Sequence, residues 1–65
     1  MILSRGERIT LEGLASGLKA SEIAAREGWK GSIPHTYAHR AKRKLRCRTR
    51  IQTVVVYMTT ERGRQ

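Results

Sequence analysis

The chain has 65 residues, with fourteen Lys or Arg against five Glu, no Asp, one Cys, one Trp, two Tyr and no Phe. That length holds a single domain near the lower limit for folding on one small aliphatic core, and the lone Cys47 excludes an internal disulfide. A formal net charge of +9 implies an acidic partner, of which nucleic acid is the commonest.

Met1-Ile2-Leu3 meets Ser4-Arg5 at once, unlike a signal peptide, and Val54-Val55-Val56-Tyr57-Met58 is far too short for a membrane span. The expected compartment is the cytoplasm, at the nucleoid. Ser4 with Glu7 three residues later reads as a capping box, opening a helix over about 5–17 in which Leu11, Leu14, Ala15 and Leu18 recur at helical spacing up to Gly17. A second, short helix over 20–27 places Ile23 and Ala24 inward, and Gly28 stops it in a left-handed conformation. Ala24 lets two helices approach closely and Gly28 permits the turn after them, the ingredients of a helix-turn-helix. Trp29 is expected to plug the angle between the helices, over the space left by Ala38 and Ala41.

A third helix over 33–46 starts at Ser32 as cap, with Pro34 allowed in the first turn, where its missing amide costs nothing. Pro34, Ala38, Ala41 and Leu45 share one stripe and must face the protein. His35, Thr36, His39, Arg40 and Arg43 then point outward, with Lys42, Lys44 and Arg46 beside them. Between Arg40 and Arg50 lie seven cations, and no acid occurs from Gly28 to Thr60. Seven uninterrupted cations repel one another, and phosphates relieve that repulsion. Short polar and imidazole groups ringed by cations suit a groove between two rows of phosphates, so this segment reads as a DNA-recognition helix. Thr49 caps a fourth helix over about 50–61, with Ile51, Val54, Val55 and Met58 on one face and Thr53, Val56 and Thr60 on another. Its β-branched run suggests a strand, but no second strand exists to pair with it. One apolar face packs on the core and the other is expected to meet a second copy, through Val54, Val56, Tyr57 and Thr60. Residues 61–65 read as a polar tail.

With the helices placed, the sequence resembles the DNA-binding domain of the LuxR/GerE family of bacterial transcription regulators, without a gap from Leu3 to about Met58. Leu3-Ser4 and Glu7, Leu14-Ala15 with Gly17-Leu18, Glu22-Ile23-Ala24 with Arg26 and Gly28, Lys44-Leu45, and Arg48 with Arg50 and Val54 carry it. The resemblance implies an all-α, four-helix domain that dimerises through its last helix and inserts its third into the major groove. By position, His35, Thr36 and His39 stand where the family reads bases, Tyr37 where a histidine usually meets the phosphate backbone, and Lys44 at the family's lysine. Pro34 replaces a core valine, Glu27 a core leucine and Lys19 a serine cap. Because the match begins two residues after Met1, no upstream sensory domain is expected.

The expected function is sequence-specific binding of double-stranded DNA as a homodimer. Arg40 and Arg43 are candidates for guanine or phosphate contacts beside His35, Thr36 and His39 at base edges. Lys30, Ser32, Tyr37, Lys42, Lys44, Arg46, Arg48 and Arg50 are candidates for the phosphates. Imidazoles charged beside phosphates would strengthen binding as pH falls toward 6. A metal site on His35, His39 and Cys47 is disfavoured, because eight residues of helix separate His39 from Cys47 by about 12 Å. No cofactor is expected, and no catalytic set is present: there is no aspartate, no useful Ser/His pairing and no glycine-rich phosphate loop. The rival reading is an interaction protein, an anti-activator or adapter pairing with a larger LuxR-type regulator or RNA polymerase through the fourth helix. A sigma-factor-like end domain would share the same helix-turn-helix physics.

Overall fold

Every regular element in the computed structural model, which describes residues 3–61, is helical. The order is α1 (Arg5–Ala15), α2 (Ala20–Glu27), α3 (Ile33–Lys44) and α4 (Arg50–Val56), the last running into a π-helical turn, Tyr57–Glu61. The fold is therefore all-α with four helices, and Thr53 to Tyr57 is helical rather than extended. The expected tail falls on residues 62–65, outside the described residues, apart from Glu61 in the last turn.

Local chemistry explains the boundaries. At the start of α1 the Ser4 amide donates to Glu7 Oε1 (2.7 Å) and the Glu7 amide donates to Ser4 Oγ (3.3 Å), closing the capping box. At α2 only the return half forms, the Lys19 amide donating to Glu22 Oε1 at 2.8 Å. Thr49 caps α4 through its hydroxyl, which accepts from the Gln52 amide at 3.0 Å. Ser32 does not cap α3 as expected. It already has helical backbone angles, its side chain makes no capping bond, and a turn from the Ile33 amide to the Lys30 carbonyl precedes the helix.

Three helices end alike. In each, one amide reaches back five residues and its predecessor three: Leu18 to Gly13 and Gly17 to Leu14, Trp29 to Ala24 and Gly28 to Ala25, Cys47 to Lys42 and Arg46 to Arg43. This closure requires a left-handed residue, and Gly17 (φ 92°) and Gly28 (φ 73°) supply it cheaply. In α3 the position belongs to Arg46 (φ 57°), where a side chain costs about 1 kcal/mol. The tight closures also explain why α1 and α3 stop short of the expected 17 and 46.

Leu3, Leu11, Ala41 and Tyr57 form the core, with Leu14, Leu45 and Val54 packed against it. Helices α1 and α3 each contact the other three. Pro34, Ala38 and Ala41 are buried as the stripe on α3 requires, and Ile23 and Ala24 are buried on α2. A Cβ on Gly13 would lie 2.7 Å from Ile23 Cδ1, so α1 and α2 meet backbone to side chain there.

Helix α4 is turned relative to expectation. Tyr57 is only 3% exposed and belongs to the core, Thr53 is buried, and Val54 packs on the core. The outward stripe is Ile51, Val55 and Met58, with Ile51 78% exposed. The cause is polar. The Tyr57 hydroxyl donates to Glu12 Oε2 (2.7 Å) and the Thr53 hydroxyl to the Thr49 carbonyl (2.8 Å), so both go inward with their polar ends satisfied. Thr59 and Thr60 donate back to the carbonyls of Val55 and Val56, competing with backbone amides where the helix widens.

Candidate nucleic-acid interface

At about 100° per residue, the side chains of α3 opposite the buried stripe fall into three rows. The outermost row is Thr36, Arg40 and Arg43, at i, i+4 and i+7, all exposed. One flank carries Tyr37 and Lys44 and faces α1. The other carries His35, His39 and Lys42 and leans toward the start of α4, where these three with Ala38 and Arg50 line an open concavity of about 370 Å³. Sequence reasoning grouped all five expected base readers on one face. The structure sets His35 and His39 apart from Thr36, Arg40 and Arg43.

The α1 flank corrects two expected phosphate contacts. Lys44 Nζ donates to Glu7 Oε1 at 2.8 Å, and Glu7 is 1% exposed, so the ammonium is tied into the fold. Tyr37 is half-buried. A Cβ on Gly6 would collide with its ring, and on its other side the ring meets Trp29, with centroids 5.2 Å apart and planes tilted by 48°. Trp29 is thus half-buried against Tyr37 rather than sealed over Ala38 and Ala41, and the pair wedges α3 against α1. Burial alone would raise the Glu7 carboxyl. The Lys44 hydrogen bond, the Ser4 amide and hydroxyl, and the Lys44 charge outweigh it and hold the group below the usual glutamate range.

The remaining expected phosphate contacts bracket α3. Lys30 and Ser32 are exposed in the turn before it. Arg46, Arg48 and Arg50 are exposed in the segment after it, where the Arg48 amide donates to Gln52 Oε1 at 2.8 Å and orders the turn into α4. Cys47, expected as a buried spacer, is half-buried with its thiol toward the Leu45 carbonyl (3.6 Å).

The acidic side chains sharpen this surface. Glu7 holds Lys44, Glu12 accepts from Tyr57, Glu22 closes onto the Lys19 amide and Glu27 pairs with Arg26 at 3.1 Å. All four are engaged within the fold. None lines the α3 concavity.

No family model, curated protein or solved structure matches the chain. The functional reading rests on the residues and their placement. Among the described residues no three His, Cys, Asp or Glu side chains are grouped to hold a metal ion, and no helix is long and apolar enough to cross a membrane.

Several features that position this surface left little trace in the sequence. Gly6 and Gly13 carry the two close approaches of α1, yet in sequence they look like poor helix residues and nothing more. Glu7 was legible as a capping residue, but its partner Lys44 lies 37 positions away. The Ile51, Val55 and Met58 stripe was legible as apolar, with its direction reversed.

Proposed function

We propose that the protein is a transcription regulator that binds double-stranded DNA, with α2 and α3 as a helix-turn-helix and α3 in the major groove. One observation carries the reading: Thr36, Arg40 and Arg43 form an outward ridge, cations bracket it at both ends, and the side chains of Glu7, Glu12, Glu22 and Glu27 are occupied elsewhere. In this reading the two arginines reach guanine edges or phosphates, and Lys30, Lys42, Arg46, Arg48 and Arg50 meet the backbone. The helix order and the capping box at Ser4 support a LuxR/GerE-type domain. So do the turn at Gly28 and the small inward residues of α3.

The reading extends to a dimer. Ile51, Val55 and Met58 make an apolar stripe on α4, and Leu14, Val54 and Arg50 join the first two of them around a second shallow concavity. Paired across a two-fold axis, such stripes cover each other and set two recognition helices to successive major grooves. The same stripe supports a second reading, a small protein that pairs with a larger regulator or with RNA polymerase through α4.

A salt titration of binding to random duplex DNA, beside the R40A/R43A variant, separates the two. With about six phosphates neutralised, affinity is expected to fall about a thousandfold between low and physiological salt. The slope should flatten in the variant. Absence of binding by either protein at low salt would sink the DNA reading and leave the adapter.

A further inference from the structure

His35, His39 and Lys42 follow at i, i+4 and i+7 along the flank of α3 that leans on α4, and Arg50, the first residue of α4, closes the far side. The floor is the methyl group of Ala38. The lining holds four basic side chains, two of them imidazoles, and neither α1 nor α2 contributes to it. It also stands apart from the Thr36, Arg40 and Arg43 ridge, so a duplex seated on that ridge presents this concavity with backbone rather than base edges.

Building on the DNA-binding reading, we infer that the concavity between α3 and the start of α4 seats one backbone phosphate, held by Lys42 and Arg50 together with His35 and His39 in their protonated forms. In the concavity the two imidazoles lie with Lys42 and Arg50, and Arg43 follows one turn beyond His39, so the charged side chains of the lining are all basic. A phosphate in the seat places negative charge beside both imidazoles and favours their charged forms. Binding therefore takes up protons from solvent, and affinity rises as pH falls. The two histidines then act on every sequence alike and make DNA affinity proton-linked. Sequence discrimination stays with the ridge.

Random-sequence duplex is the suitable probe, because phosphate contacts are indifferent to sequence. Its affinity is measured at pH 6 and pH 8, at one ionic strength, for the full chain and for H35Q/H39Q. Both histidines are exposed, and unfolding curves verify that the variant folds. The unsubstituted chain is expected to bind at least about tenfold tighter at pH 6 than at pH 8. The variant should lose that gradient while matching the unsubstituted chain within about twofold at pH 8. A gradient that survives in the variant, or an equal loss of affinity at both pH values, overturns the seat and leaves DNA binding intact. No duplex binding at pH 6 and low salt removes both.

Discussion

Glu7 Oε1 accepts from the Ser4 amide and the Lys44 ammonium at once, so a single oxygen starts α1 and anchors the last turn of α3. The folded carboxyl is held below the ordinary glutamate value of 4.5, so its contribution is complete above that pH and is lost as pH falls through the lowered folded value. E7Q keeps a capping group but leaves Lys44 without a counter-charge. It should cost about 2 kcal/mol in urea unfolding at pH 7, toward the low end for a buried pair because Lys44 is partly solvated. The difference from the unsubstituted chain should shrink well below pH 4.5. A difference that did not change with pH would assign the loss to packing. K44M should cost more than E7Q, since it strands a buried carboxylate. Under the DNA reading, Lys44 substitutions would thus weaken binding by unfolding the chain, and cannot be read as the loss of a phosphate contact. The capping half of this arrangement follows from residues three apart. The long-range half depends on how α1 crosses α3, which Gly6 and Tyr37 set and no local pattern announces.

At the level of elements, the helices were legible because each has local punctuation: Ser4, Thr49, Pro34, Gly17 and Gly28 act on neighbours within a few residues. What α4 shows the core was not, because a count of apolar side chains ranks Ile51, Val55 and Met58 above Thr53 and Tyr57. Hydroxyls with partners reverse that ranking. The end of α3 carries a further clue. Arg46 occupies the left-handed position that Gly17 and Gly28 fill in the other helices, and it stands in the exposed basic segment after α3. R46G should relieve the strain and stabilise the fold by up to about 1 kcal/mol, less the extra freedom glycine gives the unfolded chain. Under the DNA reading it should also weaken duplex binding and flatten the salt slope by about one phosphate. Chemical denaturation and a duplex titration check both. A destabilised R46G would mean that the arginine side chain makes contacts worth more than its backbone strain.

For the whole molecule, the division of charge is decisive. Composition alone gave the excess of cations, and the absence of acids between Gly28 and Thr60 gave its side. The inward use of Glu7 and Glu12 required the structure. Self-association through Ile51, Val55 and Met58 must therefore bring together two chains of formal net charge +9. V55E alters a side chain that is 52% exposed, so it should leave the monomer folded while abolishing any dimer seen by sedimentation equilibrium. An unchanged dimer in V55E would move the contact elsewhere. The same charge sets opposite salt responses for the two assemblies. Electrolyte at 1 M shortens the reach of the repulsion to about 3 Å and should favour pairing of the free protein, while under the DNA reading the same salt would strip it from a duplex. Under the DNA reading, at low ionic strength the duplex would take over the role of the electrolyte. It would be a polyanionic template on which two mutually repelling chains become neighbours, so the two proposals together describe a protein single in dilute solution and paired on the duplex.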